Sequence, residues 1–145
     1  MWCEVMSRLE AMQASREDTA PTTAVISVTD CGTELNRFYP SEWLVGVRAL
    51  QFDDVVSGEN CMTSEDAKDI ADFVLDMRKK VDRFIVHCEF GQSRSAGIAA
   101  AINQHCTGSD AGIFRNKRYN PNQVCYRLTL EALKKRSRVP GFLRP

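Results

Sequence analysis

The chain has 145 residues, 43% of them hydrophobic, and its 19 basic and 19 acidic side chains leave no net charge. This length suits one domain with a single core, residues 1–145, and is short for two. The balanced charge argues against general nucleic-acid binding, because no excess of Lys and Arg is available to neutralise phosphates. A membrane-spanning helix is also excluded, since no apolar run approaches the roughly 18 residues that it needs.

The amino terminus and the cysteines indicate a compartment. The first residues lack both the basic region and the apolar stretch of a secretory signal. The six cysteines are scattered, without a C-x-x-C pair, and only two histidines accompany them. A disulfide framework is typical of smaller, secreted chains, so we expect six free thiols. These observations predict a cytoplasmic protein.

The first predicted element is an amphipathic helix over residues 2 to about 14. Its apolar side chains recur at three- and four-residue spacing, at Trp2, Val5, Met6, Leu9 and Met12. A Thr- and Pro-containing segment interrupts this pattern, and residues 24–28 then form a short apolar, β-branched run that predicts a strand. A turn at residues 30–32 ends that strand.

The middle of the chain predicts a strand and a helix. Residues 45–52 form the second strand, which stops at the paired acids 53–54. Thr63 is suited to cap a helix that begins near Ser64, and Asp66 completes a capping-box pair with it.

The last elements complete an α/β pattern. Residues 84–86 are continuously apolar, as in a central parallel strand that is buried on both faces. A helix rich in small residues begins at Arg94, and Pro121 suits the first turn of a last helix that runs to about Lys135. The order of elements predicts a three-layer α/β sandwich with a mostly parallel central sheet flanked by helices.

The most informative feature is a loop between the third predicted strand and its following helix. Five residues separate Cys88 from Arg94. In a gap of this length successive backbone N–H groups can turn inward to bind an anion, and the helix adds its positive amino-terminal end. Gly91 lets the backbone approach the ligand, and Arg94 supplies a planar fork for two phosphate oxygens. We therefore expect the whole loop to bind the phosphate of a substrate: Glu89, Phe90, Gly91, Gln92, Ser93 and Arg94.

This setting favours nucleophilic chemistry at Cys88. Helix amino termini and nearby cations favour the thiolate, which attacks phosphorus to give a cysteinyl-phosphate and divides hydrolysis into two steps. Ser95 follows the arginine and is a candidate to donate a hydrogen bond to the departing sulfur. We expect His87 to order the loop rather than to act as a base. Gln92 either orients the hydrolytic water or projects outward, and the sequence leaves both open.

A second catalytic residue is needed, because an alkoxide or phenoxide leaves phosphorus readily only when an acid protonates it. Asp53 and Asp54 follow a strand whose carboxyl end shares a sheet edge with Cys88. Alternation along that strand places Asp54 in phase with its apolar positions and favours it over Asp53. Glu59 is a third candidate.

The signature H-C-x-x-G-x-x-R-S/T is matched at all five fixed positions, by His87, Cys88, Gly91, Arg94 and Ser95. On these residues the chain resembles the cysteine-dependent protein tyrosine phosphatases, and most closely the small dual-specificity type. The resemblance implies a protein tyrosine phosphatase-like fold over most of the chain, with an acid-bearing loop before the cysteine. It also implies that Asn122, in a proline-asparagine element, ties the last loop to the wall of the active site.

The sequence therefore predicts a metal-independent phosphatase that needs no cofactor and hydrolyses phosphotyrosine in proteins. It leaves open whether phosphoserine and phosphothreonine are substrates as well. Its expected partner is a phosphoprotein or phosphopeptide, and we expect a monomer that binds neither nucleic acid nor membrane. One alternative is a catalytically weak or inactive module that recognises phosphoproteins. Another is a phosphatase of a non-protein phosphate ester, which the absence of Lys and Arg within residues 89–93 disfavours.

Two further features have open interpretations. Arg115, Lys117 and Arg118 either bind an acidic flank of the substrate or form a solvated basic loop. Cys31 and Cys61 are candidates to form a disulfide with an oxidised Cys88, if the fold brings them close to it.

Overall fold

A computed structural model describes residues 1–144 of the chain. Its elements, in chain order, are β1 Trp2–Ser7, α1 Arg8–Ala14, β2 Thr23–Thr29, β3 Leu44–Gln51, α2 Ser64–Met77, β4 Arg83–Cys88, α3 Arg94–Thr107, α4 Ala111–Phe114 and α5 Gln123–Arg136, followed by a 3₁₀ turn, Gly141–Leu143. Within these described residues no helix has both the length and the apolar character to cross a membrane.

The four strands form one parallel sheet in the order β1-β4-β2-β3. Strand β4 therefore lies inside the sheet, where Ser7 of β1 is opposite Cys88 and Ser27 of β2 is opposite His87. All residues of β2 and β4 are buried, as their continuous apolar runs predict. This arrangement places Cys88 at the carboxyl end of an interior strand.

Helices cover both faces of the sheet. On one face Ile26 and Phe84 join the main core under α2 and α3, and α5 packs outside those two helices. On the other face Val25 and Ile85 pack against α1. Each fully buried Ile, Val or Phe contributes about 1.5–3 kcal/mol through the hydrophobic effect, so the central strands are held firmly from both sides. The predicted three-layer α/β sandwich is confirmed.

The first predicted helix is wrong over its first half. Trp2–Ser7 is a strand, because pairing with β4 supplies hydrogen bonds for its backbone, and the helix begins only at Arg8. Ser7 caps that helix: its Oγ accepts from the Glu10 N–H at 3.1 Å, while the Glu10 carboxylate accepts from the Ser7 N–H at 2.9 Å. The Ser-x-x-Glu capping box is the sequence signal of a helix that begins after Ser7, and the helical spacing of the preceding apolar residues obscured it.

The other predicted elements are confirmed, with small shifts in their ends. The strands at 24–28, 45–52 and 84–86 are present as β2, β3 and β4. Helix α2 begins at Ser64 with the expected capping box, and α3 begins at Arg94. The last helix differs slightly, since Asn122 is its N-cap and Pro121 lies outside it.

Candidate active site

The loop between β4 and α3 has the geometry of an anion cradle. Gly91 has a positive φ of 68°, and a Cβ at this position would come within 2.6 Å of the Met6 and Ser7 backbones. Only glycine therefore allows the loop to pack against the junction of β1 and α1. Among the described residues, no acceptor takes a hydrogen bond from the peptide N–H groups of residues 89–93. Unpaired N–H groups at the start of a helix are suited to bind an oxyanion.

Cys88 lies at the floor of this cradle, and only 3% of it is exposed. Its Sγ is 3.0 Å from the Oγ of the fully buried Ser95, and either atom can be the donor. The hydroxyl is thus in position to stabilise a negative charge on the sulfur.

Arg94 closes the cradle and is also buried. Its Nη1 donates to the Phe52 carbonyl at 2.7 Å and forms an ion pair with Asp30 Oδ1, also at 2.7 Å. Its Nε is buried yet has no hydrogen-bond partner among the described residues. An unpaired buried donor costs about 1–3 kcal/mol, so the orphan Nε points to a ligand that accepts from it. The Nε and Nη2 groups form the edge of a guanidinium that binds two oxygens of one phosphate.

His87 organises the end of β4. Its Nε2 lies 2.6 Å from Ser27 Oγ and 3.1 Å from Asn36 Nδ2, and its Nδ1 lies 3.3 Å from the Cys88 carbonyl oxygen. These partners assign the proton to Nδ1, which donates to that carbonyl, while Nε2 accepts. Burial lowers the pKa of His87 to about 4, so its ring is neutral at neutral pH.

The buried His87 makes stability depend on pH. Its ordinary pKa of 6.5 in the unfolded chain exceeds the folded value of about 4, so the unfolded chain binds the proton first as the pH falls. The contribution of the neutral His87 ring to the free energy of unfolding should be complete above about pH 6.5. It should be lost as the pH falls towards 4, which lowers the free energy of unfolding by about 3 kcal/mol. Urea unfolding across this range tests the loss against a His87→Gln chain, and NMR titration of the intact protein checks the ring directly. Titration of His87 near pH 6.5 in the folded protein would contradict the prediction.

The two paired acids have different surroundings. Asp53 uses both carboxylate oxygens to connect loops: Oδ1 accepts from the Cys31 N–H at 3.0 Å and Oδ2 from Asn60 Nδ2 at 3.3 Å. Asp54 is exposed and contacts the cradle, since its Oδ1 accepts from Ser93 Oγ at 2.8 Å. Its Oδ2 has no hydrogen-bond partner within residues 1–144. Asp54 therefore has one oxygen fixed and the other available.

Asn122 connects this acid to α5. Its Oδ1 caps the helix by accepting from the Val124 and Cys125 N–H groups, both at 3.0 Å. Its Nδ2 donates to Asp54 Oδ1 at 2.9 Å and to the Val55 carbonyl at 3.2 Å. Asp54, Ser93 and Asn122 also line one surface cavity of about 520 Å³. One side chain thus positions the acid loop relative to both the cradle and the last helix.

The remaining loop residues differ in exposure. Phe90 is 76% exposed, and the Gln92 side chain is also exposed, although its carbonyl accepts from the Asn120 N–H at 2.9 Å. Glu89 is half-buried, and its carbonyl accepts from the Arg8 N–H at 3.1 Å. The loop is therefore anchored through its backbone to α1 on one side and to the segment before α5 on the other.

Other candidates lie outside the cradle. Glu59 is exposed and makes no hydrogen bond or ion pair with another described residue. The basic loop is exposed as well, and its Arg118 lies 3.5 Å from Glu10 of α1. This ion pair connects the basic loop to the helix beside the cradle.

The other cysteines are free thiols. Burial raises the pKa of Cys125 to about 12, so this thiol stays protonated at neutral pH. Desolvation and the nearby Asp53 carboxylate raise the pKa of Cys31, which makes its thiolate scarcer. Cys61 has its Sγ 3.7 Å from the Val55 carbonyl oxygen.

Sequence reasoning missed three residues of this site. Asp30 contacts Arg94, while Ser27 and Asn36 contact His87. Asp30 had one readable signal, since it directly follows a predicted strand and so belongs to the sheet edge where ligands bind. Asn36 had none, because it lies in a segment without regular structure.

The fold is that of the dual-specificity type of protein tyrosine phosphatase. Human DUSP28 superposes with a TM-score of 0.61 at 14% identity, over 94% of this chain and 94% of that chain. DUSP15 gives 0.53 at 17% identity, over 94% and 88% of the two chains, and PTPMT1 in complex with PI(5)P gives 0.51 at 18% identity, over 80% of each. No protein-family model and no curated protein matches the sequence.

Proposed function

We propose that the chain is a metal-independent protein phosphatase that hydrolyses phosphotyrosine through a cysteinyl-phosphate intermediate. One observation carries the proposal: a buried thiol, Cys88, lies beneath a loop whose N–H groups, like the buried Nε of Arg94, have no hydrogen-bond partner among residues 1–144. A thiol, an oxyanion cradle and an adjacent acid are together the parts that phosphoryl transfer to cysteine requires.

In the first step the N–H groups of residues 89–93 and the Arg94 fork bind the phosphate oxygens. The Cys88 thiolate attacks phosphorus, so that an S–P bond forms while the bond between phosphorus and the ester oxygen breaks. The leaving oxygen takes a proton from Asp54, whose Oδ2 accepts no hydrogen bond from the described part of the chain. The cradle stabilises the charge that develops on the transferred group.

In the second step a water molecule attacks the phosphorus of the cysteinyl-phosphate. Its proton passes to the Asp54 carboxylate, the S–P bond breaks, and inorganic phosphate is released. The Ser95 hydroxyl, 3.0 Å from Sγ, donates to the sulfur as its negative charge returns. Asp54 thus acts as acid in one step and as base in the next.

The hydrogen bonds of the two acids support Asp54 rather than Asp53 as the proton donor. Asp53 engages both carboxylate oxygens in contacts between loops. Asp54 touches Ser93 of the cradle itself and keeps Oδ2 available.

The exposed ring of Phe90 supports an aromatic substrate. It lies two residues after the nucleophile and is 76% exposed, so the ring is available to contact a ligand. Contact between aromatic rings contributes about 0.5–1.5 kcal/mol beyond burial.

Phe90→Ala should therefore lower kcat/KM for a phosphotyrosine peptide about three- to tenfold. Its kcat/KM for the matching phosphoserine peptide should change little. The measurement is the ratio of the two values, with Phe142→Ala, another exposed phenylalanine, as the matched control. Equal losses on both peptides would contradict a role for Phe90 in selecting an aromatic substrate.

Measuring phosphate release by the purified chain tests the proposed function. The chain should release phosphate from p-nitrophenyl phosphate and from phosphotyrosine peptides at mildly acidic to neutral pH, with a chelator present. A chain that binds these peptides without turnover would instead be a phosphoprotein-binding module. Faster turnover of PI(5)P than of any peptide would favour a non-protein phosphate ester.

A further inference from the structure

We propose that Asp30 is a positioning residue that holds the guanidinium of Arg94 in its oxyanion-binding orientation. The proposal rests on the proposed function of the cradle, and it adds a carboxylate from a separate loop to the machinery of that site.

The sheet brings Asp30 to Arg94 across 64 residues of sequence. Strand β2 ends at Thr29, beside β4, so the next residue reaches the same sheet edge as Cys88. Asp30 Oδ1 lies 2.7 Å from Arg94 Nη1, so the carboxylate and the guanidinium form a close ion pair.

The contact is restricted to one end of the guanidinium. Nη1 contacts Asp30 and the Phe52 carbonyl, while the buried Nε has no hydrogen-bond partner within residues 1–144. Because the guanidinium is planar and rigid, fixing Nη1 also fixes the direction of the Nε–Nη2 edge. Asp30 therefore leaves the phosphate-binding edge free while it restricts rotation of the group.

An opposite effect of the same carboxylate must be weighed. A negative charge near an oxyanion site repels the ligand, so its removal alone would tighten binding. Half of the Asp30 side chain is exposed, and solvent therefore screens this repulsion. The ion pair with Arg94 is much less open to water, because the Arg94 side chain is only 4% exposed, so we expect positioning to outweigh repulsion. The two effects have opposite signs, and measured affinity decides between them.

The experiment measures binding of tungstate, a tetrahedral oxyanion, by calorimetry to the full chain and three variants. Asp30→Ala removes the partner of the ion pair and should weaken binding about tenfold, because Nη1 then keeps only the Phe52 carbonyl to orient the guanidinium. Asp30→Asn keeps an acceptor oxygen for Nη1 and should restore most of the affinity. Glu34→Ala removes the same charge from the same loop without touching Arg94 and should bind as the parent does.

Two further readouts separate positioning from other roles. The KM for p-nitrophenyl phosphate should rise with the loss of tungstate affinity in Asp30→Ala, but the dependence of rate on the leaving group should stay that of the parent. A changed dependence would make Asp30 the proton donor instead. Thermal unfolding of each variant verifies that the fold is intact, and the NMR signal of the Arg94 Nε–H reports the orientation of the guanidinium in any variant that is less stable.

Tungstate binding by Asp30→Ala that equals or exceeds that of the parent would overturn the positioning role. The proposed function fails separately, if the parent binds tungstate but hydrolyses no phosphate ester. In that case the affinities of the variants still decide whether Asp30 positions Arg94. A parent that binds no tungstate overturns both proposals.

Discussion

Cys88→Ser should reduce hydrolysis of p-nitrophenyl phosphate by about 10⁴-fold or more, to the background rate, because the loss of a nucleophile leaves only binding and charge stabilisation. A serine hydroxyl is about as large as the thiol but is a far poorer nucleophile at neutral pH. No other described group can replace it, since the remaining side chain at the floor of the cradle, Ser95, is a hydroxyl as well.

The same variant should keep its affinity for oxyanions. The loop N–H groups and Arg94 do not depend on the sulfur, so the exchange leaves the oxyanion-binding groups in place. Initial rates with p-nitrophenyl phosphate and calorimetry with tungstate measure the two properties. Cys31→Ser, at an exposed cysteine on the loop after β2, is the matched control and should turn over like the parent. Residual activity of Cys88→Ser within tenfold of the parent would exclude a cysteinyl-phosphate route.

The strand, loop and helix that form the candidate site could be predicted from sequence because their determinants are local. An apolar strand, a loop with a required glycine and a small-residue helix occupy residues 84–102 without interruption. Gly91 illustrates the limit of this local reasoning. The sequence predicts that the loop needs the conformational freedom of a glycine here, and Gly91 has a positive φ. Its close approach to Met6 and Ser7 could not be predicted, because it depends on β1, which the sequence pattern assigned to a helix.

Contacts across long sequence separations were not predictable. Asp30 meets Arg94, and Asn36 meets His87, only because β2 and β4 are neighbours in the sheet. Neither strand carries a local signal of its partner, since both are buried on both faces and so lack the alternation that would mark a position in the sheet. Long-range pairing also explains why β1 was predicted as a helix. The apolar residues of β1 have helical spacing, but hydrogen bonding to β4 outweighs that local preference.

Sequence and structure give separate reasons for choosing Asp54 over Asp53 as the proton donor. Alternation past the end of a strand favoured Asp54 only weakly. In the structure both carboxylate oxygens of Asp53 accept hydrogen bonds, from Cys31 and Asn60. Asp54 accepts from Ser93 and Asn122 through one oxygen, and these bonds hold it against the cradle. The hydrogen bonds therefore support the same residue on independent grounds, and the leaving group of the substrate offers a direct test.

Asp54→Asn should lower the rate with phenyl phosphate by about 10²–10³-fold, the usual contribution of a positioned acid. The effect should shrink to a few-fold with a substrate whose leaving group departs without a proton, such as a strongly electron-poor aryl phosphate. Asparagine preserves the acceptor oxygen for Ser93 and Asn122, so the loop should stay in place. The slope of the logarithm of the rate against the leaving-group pKa, measured for parent and variant, isolates proton donation from binding.

Asp53→Asn is the matched comparison, because it makes the same chemical change one residue away. It disturbs loop contacts to Cys31 and Asn60, so it should lower stability and change the rate by a similar factor for every leaving group. A steeper leaving-group dependence in Asp53→Asn than in Asp54→Asn would exchange the two assignments. Equal losses across all leaving groups in both variants would mean that neither acid donates the proton, and Asp30, the other carboxylate in contact with the cradle, would then be the next candidate.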